Sequence, residues 1–288
     1  MASEKELKSL RGTAKDWDRW REIELHTTFN VKNIDFSEAD LHSLNFSSSV
    51  LSGANFSNAN LSNANLKHVD FSGANFSNAN LKGASLDAAN LSKANFYKAN
   101  LENASLRDAH LHEALLVDAN LRGVNFLNAN LRRADLKGVN LDDASLDKAD
   151  LREASLKDAD LSSIFLFHAN LIDVDFSGSN LRSAELRSAD LRGSKFIGTD
   201  LSGASLSGAD LSDADMTCAN LTQADLSVTR VLGTDFSKAT LTGAGIKDWS
   251  INSDTNFSEV QADYVYFGSS EDGIVRFSDR RPHSGIFG

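Results

Sequence analysis

His110, His112 and Glu113 fall within four residues, in the run Ala109-His-Leu-His-Glu113. On an extended chain a His-x-His pair points both imidazoles to the same side, the spacing that can grip a divalent metal. A metal centre also needs a third ligand and partners that hold the rings, and neither is evident nearby, so a solvated surface pair is the preferred reading. Cys218, the single cysteine, has no neighbouring histidine to make it a nucleophile and reads as a small residue. No glycine-rich phosphate loop runs from a strand into a helix. An active site needs a concavity in which titratable groups converge, and the chain offers no sign of one. No cofactor and no catalytic residue is expected. A different kind of chemistry is suggested by Ile164-Phe-Leu-Phe-His168, where two aromatic residues flank one leucine. Apolar groups of that kind anchor protein contacts when they point outward.

Which side chains point outward depends on the elements that carry them. From position 36 to position 251, every fifth residue is Leu, Phe, Met, Val or Ile, 44 in succession without an insertion. The residue two places earlier is usually Ala, as at Ala59, Ala79, Ala99 and Ala119. With the alternation of an extended chain these two point inward and their neighbours outward. Twelve of the 18 glycines sit two residues after a central apolar position, a slot shared by Asn58, Asn63, Asn78, Asn103 and Asn128. These residue types tolerate tight or positive-φ geometry, so the slot is a corner.

A slower rhythm counts the sides. Every fourth central residue from Phe36 gives Phe36, Phe56, Phe76, Phe96, Leu116, Leu136, Leu156, Phe176, Phe196, Met216 and Phe236, while the next column, from Leu41 to Leu241, is leucine throughout. Like stacks on like when a coil closes after four five-residue sides. The expected fold is therefore an all-β, quadrilateral β-helix. Its interior is a solid column of side chains, and at about 4.8 Å per coil eleven coils span on the order of 50 Å.

The unit Ala119-Asn-Leu-Arg-Gly123, repeated over roughly residues 32–251, resembles the pentapeptide-repeat family. The resemblance implies a right-handed coil, and the segment from Gly245 to Phe267 is most similar to the closing segment of cyanobacterial members. Some members act as DNA mimics that bind a type II topoisomerase, and the resemblance carries that as an alternative function. Those members typically dimerise through a C-terminal helix and often interrupt their coils with loops; this chain shows neither feature.

The ends depart from the grid. Residues 1–31 are expected to form an N-terminal helical cap, since Leu7, Leu10, Ala14, Trp17, Trp20 and Ile23 have helical spacing, with a break near Gly12. Such a cap covers the open edge of the first coil. Residues 252–288 read as a closing segment with a last strand over Asp263–Phe267, followed by a polar, mobile tail after Gly268.

Composition bounds the partners. A net charge of −11 argues against direct nucleic-acid binding through phosphates. No apolar run suits a signal peptide or a membrane span, so a cytoplasmic protein is expected. Fourteen acidic residues, among them Asp35, Asp150, Asp190 and Asp235, occupy the slot just before the central residue, where Asn is the usual alternative. Carboxylate and carboxamide groups there can accept bonds from nearby backbone amides, so much of this acidity serves the fold.

Two surface features stand out. On one face the slot after the central residue reads His112, Arg132, Arg152, Ile172 and Arg192 in steps of twenty, a candidate basic stripe interleaved with acids such as Glu113, Asp150, Glu153, Asp173 and Asp190. Solvated ion pairs of little individual worth are the plainer account. The other is the pair Phe165 and Phe167, with Ile172 around the next corner and Leu127 two coils away on the same face, a candidate protein contact. The sequence thus describes a non-enzymatic interaction or scaffold module with an unidentified protein partner, a monomer or weak homodimer.

Overall fold

The structure, a computed structural model, describes residues 30–166, 168–267 and 274–276. The chain divides into two compact units, Met1–Ser145 and Leu146–Gly288.

In the first unit each outward residue before a central one pairs, in parallel, with the residue twenty later, from Asn30↔Val50 to Asn125↔Ser145. Bridges recur every five residues, so one coil has four sides. The hydrogen-bond scheme shows why five residues suffice. Phe56 N donates to Asn75 O (2.7 Å), and Asn75 N donates back to Ala54 O (2.9 Å). The corner is closed by Ala59 N donating to Phe56 O (3.0 Å), and even Asn58 within the corner donates onward to Ser77 O (2.9 Å). Backbone polar groups are thereby satisfied between coils without long strands. Only the third residue of each corner has positive φ, the pattern of a type II turn. All 44 such positions from Asn33 to Asp248 lie between 54° and 73°.

Inside, the phenylalanine column is real. Phe36, Phe56, Phe76 and Phe96 stack with centroids 5.3, 5.0 and 4.9 Å apart, the last two pairs within 5° of parallel. Phe71 presents its edge to Phe56 and Phe76. The Ala slots are buried with them.

The second unit repeats the plan from Asp150↔Asn170 onward. Phe176 stacks on Phe196 at 5.0 Å. Here several Ala slots hold hydroxyl residues, each matched to a carbonyl: Ser194 Oγ donates to Leu171 O (2.6 Å), Thr199 Oγ1 to Phe176 O (2.7 Å) and Thr234 Oγ1 to Leu211 O (2.8 Å). A buried hydroxyl is tolerated because it has that partner.

The grid ends earlier than its sequence pattern. Ile251, expected inside, is 37% exposed. Trp249 takes over, its ring stacked on Phe236 at 5.4 Å and its Nε1 donating to Leu226 O (2.7 Å). One extra residue then enters the coil, because the pairing offset becomes twenty-one at Asp235↔Asn256 and Thr240↔Gln261. This lets Phe257 stack on Phe236 at 5.5 Å. The unit closes with β1 (Ala244–Gly245), β2 (Tyr264–Tyr266) and β3 (Ile274–Arg276), with β2 parallel to β1 and antiparallel to β3. β2 falls within the stretch Asp263–Phe267 read as a strand, and β3 is a further strand that the sequence pattern did not indicate. The expected N-terminal helix lies outside the described residues, and among the described residues no helix is present, none therefore long and apolar enough to cross a membrane.

Candidate interaction surface

The slot before each central residue sets the character of every face. Its Asp or Asn oxygen accepts the backbone N–H two residues on: Asn55 from Ser57 (3.1 Å), Asp175 from Ser177 (3.0 Å), Asp215 from Thr217 (3.0 Å). The same side chains connect coils in the first unit. Asn120, Asn100, Asn80 and Asn60 each donate Nδ2 to the residue twenty before, ending on Asp40, and Asn95, Asn75 and Asn55 do likewise, ending on Asp35. In the second unit the connected runs are short, Asn180 on Asp160 and Asn220 on Asp200.

Charged groups follow the same vertical logic. Lys67 pairs with Asp87 (3.2 Å), Lys82 with Glu102 (3.0 Å) and Lys157 with Asp175 (3.0 Å). Burial pushes the Asp87 and Asp175 carboxyls up, but hydrogen bonds outweigh it and hold both below the ordinary range: Ser105, Lys67 and the Arg107 amide at Asp87, and Ser177 and Lys157 at Asp175.

The candidate basic residues are drawn into this scheme. Arg152 forks onto Asp150 through Nε (2.8 Å) and Nη2 (2.5 Å), and Arg192 onto Asp190 (2.8 and 2.7 Å). The Arg192 hydrogen bond is the main cause of a lowered Asp190 pKa. Each guanidinium thus meets the carboxylate of its own repeat. Arg132, in the first unit, is half-buried, and its backbone N–H is capped by Asn130 (3.1 Å).

Of the apolar candidates, Phe165 is 59% exposed and occupies the slot where Asp or Asn usually stands. Around it in the second unit lie Glu185, its bridge partner, Arg187 paired with Glu185 (3.0 Å), and His168 against Asp147 (3.2 Å). Ile172 is half-buried in the same unit, and Leu127 is half-buried in the first. Phe167 lies outside the described residues.

A second apolar group escaped the sequence reading. Leu115 is 47% exposed and Tyr97 41%, with half-buried Val117 on the coil after Tyr97. Leu115 is bridged to Asn95 and takes the slot where the Asn55–Asn75–Asn95 series would continue. The Lys98 ammonium lies 5.1 Å from the Tyr97 ring, whose hydroxyl raises the lysine pKa. The signal was the doublet Leu115-Leu116, hidden because only the second leucine belongs to the grid.

The remaining candidates find other employment. His112 sits with Nδ1 3.1 Å from Arg132 O and Nε2 3.0 Å from Glu113, so both ring nitrogens already face acceptors. His110 is exposed, and no group of three or more metal-ligating side chains occurs among the described residues. Cys218 is exposed at a corner with φ 59°.

The repeat is recognisable beyond this chain. The family profile described as Pentapeptide repeats (8 copies) matches residues 34–73, 70–108, 104–143, 194–230 and 204–243, and the profile Pentapeptide repeat region matches 131–206. No curated protein matches. Among solved structures, HetL, a pentapeptide repeat protein involved in heterocyst differentiation regulation from the cyanobacterium Nostoc sp. strain PCC 7120, is 24% identical over 85% of this chain and 94% of its own, with a TM-score of 0.23. A pentapeptide repeat protein of the Arabidopsis thaliana thylakoid lumen is 31% identical over 42% of this chain and 73% of its own (TM-score 0.29). Trypsin-treated QnrB1, a plasmid-mediated fluoroquinolone resistance protein, is 18% identical over 80% and 92% (TM-score 0.32). The superpositions are loose, so the assignment rests on the repeat profiles, which run from residue 34 to residue 243. On that ground the chain belongs to the pentapeptide repeat family.

Proposed function

We propose that this chain is a non-enzymatic protein-interaction module of the cytoplasm, built as a right-handed coil whose faces hold side chains at fixed spacing. The observation that carries the reading is the contrast between a filled interior and Phe165. Central side chains from Leu41 to Leu241 are at most 1% exposed, leaving no room inside for a substrate. Only the outer surface is left to act. On that surface Phe165 replaces a residue type that elsewhere caps the backbone, and it stays 59% exposed. An exposed aromatic ring with a charged rim suits the centre of a small protein contact, with Phe167 and Ile172 as its proposed companions. The test replaces Phe165 and Phe167 together by serine. Both lie outside the central grid, so the circular dichroism spectrum and melting temperature should be retained while a protein captured from native lysate by the parent is lost. Identical capture by parent and variant would refute the contact.

A further inference from the structure

The corner at Gly203 opens a notch of about 360 Å³ in the second unit, lined by Arg182, Ser183, Ser202, Gly203, Asn220, Thr222 and Gln223. It exists because three successive coils put unequal residues at one corner: Ser183, then Gly203, then Gln223. The glycine leaves a gap between two side chains that stand up on either side.

The lining is polar and partly uncommitted. Arg182 Nη1 reaches Asp200 Oδ2 at 3.5 Å, a long contact that leaves its other donors available. Asp200 is otherwise engaged on its second oxygen, accepting from Ser202 N (3.0 Å) and Asn220 Nδ2 (3.0 Å). Thr222 Oγ1 is fixed on Asn220 Oδ1 (2.7 Å). The Ser202 hydroxyl, by contrast, is buried without a hydrogen-bond partner. Hydroxyls in the same slot of other repeats donate to the Asp or Asn of their own repeat, as Ser62 does to Asn60 and Ser212 to Asp210, whereas Ser202 keeps its donor uncommitted and rotation about its single χ angle can aim it into the gap. An arginine with open donors, an unsatisfied hydroxyl and the Gln223 carboxamide beside one gap form a donor set for an oxyanion.

We propose that this notch binds a carboxylate, presented by an acidic side chain of a peptide segment, with the Arg182 guanidinium as its anchor and Ser202 and Gln223 as further donors. A planar monoanion fits better than a phosphate dianion, because Asp200 shares the same guanidinium and repels a second negative charge more strongly than a single one. The inference rests on the reading of this chain as a protein-interaction module and gives one chemical class of partner.

The experiment uses the full chain, labelled with ¹⁵N and titrated with an acetylated, amidated peptide bearing one glutamate, with its glutamine twin, and with sodium phosphate. Two variants accompany it. Arg182→Gln removes the anchor. Gly203→Asn fills the gap at a corner with φ +68°, which asparagine tolerates, and a Cβ there meets Ser183 Oγ at an ordinary 3.5 Å. The expected result is saturable shifts at Arg182, Ser202 and Gln223 with the glutamate peptide alone, weakened about tenfold or more in both variants. Unchanged spectra elsewhere would show that the variants remain folded. Equal shifts with the glutamine twin, or persistence in Arg182→Gln, overturn the site. Competition by phosphate at the peptide's own concentration overturns the choice of a carboxylate. Loss of capture on changing Phe165 and Phe167 is read separately, so either idea can fail alone.

Discussion

Phe76 is the most informative single position in the first unit. Its ring is fully buried, stacked on Phe56 at 5.0 Å and on Phe96 at 4.9 Å, and it meets the edge of Phe71 at 5.0 Å. Truncation to alanine removes the buried ring and leaves a cavity that coils held by backbone ladders cannot readily close, so Phe76→Ala should cost about 3–5 kcal/mol. Leucine is a gentler change, since Leu116 and Leu136 fill the same column two and three coils further on. Phe76→Leu keeps most of the apolar burial but loses two ring stacks, each contributing roughly 0.5–1.5 kcal/mol beyond area, for a total cost of about 1–3 kcal/mol. Phe176→Leu in the second unit is the internal control: it has one stacked phenylalanine, Phe196, on one side and Leu156 on the other. It should cost less than Phe76→Leu by about one stack, roughly 0.5–1.5 kcal/mol. Urea unfolding of the three variants, with midpoints compared at constant slope, measures the series. If Phe76→Leu were as harmful as Phe76→Ala, or Phe176→Leu as harmful as Phe76→Leu, the stacked column would not be the source of the stability attributed to it.

Two further outcomes follow from corners and carboxylates. Val228 is a β-branched residue held at φ 59° and 60% exposed, so Val228→Asn relieves strain with little packing to lose and should stabilise by about 1 kcal/mol, read as a higher melting temperature; an unchanged or lower value would refute the strain. Asp87, Asp175 and Asp190 have carboxyls held below the ordinary aspartate range, so their contribution to stability is full above about pH 5 and is lost as pH falls through the lower folded values. Denaturant midpoints should stay level from pH 7 to about pH 5 and then fall, less steeply in Asp175→Asn than in the parent.

The repeat was legible because it depends on two local properties, apolar size at every fifth residue and tolerance of positive φ two residues later, and both are written directly in residue types. The phenylalanine column and all the corners could be read that way. Ile251 could not. It satisfies the pattern, but Trp249 brings a larger ring and a donor for Leu226 O, and a single-residue slip at the next corner rewards that choice. The strand Ile274–Arg276 was missed because antiparallel pairing with Tyr264–Tyr266 belongs to a different rule from the coil. Surface features fared unevenly. Phe165 could be singled out because no other repeat has aromatic residues in both outward slots, whereas Leu115 sat beside a grid leucine, and the Gly203 notch required knowing that residues 183, 203 and 223 share one corner. A glycine reports its conformation in sequence, but the space it leaves depends on neighbours twenty residues away.

The Asn ladders have a direction, and it gives them a grammar. Every Nδ2 donates toward the start of the chain, so a carboxylate, which accepts but cannot donate, can only be the terminus of a run; Asp35 and Asp40 stand there, and Asp160 and Asp200 begin new runs in the second unit. Converting any ladder Asn to Asp therefore severs one link to the preceding coil, while leaving intact both the corner cap and the acceptor for the next coil. Such a change is the product of spontaneous deamidation as well as of a single base substitution. Where the acceptor is itself a carboxylate, as for Asn55 on Asp35 or Asn60 on Asp40, the change sets two negative charges face to face, so a ladder is costliest to cut at its carboxylate end.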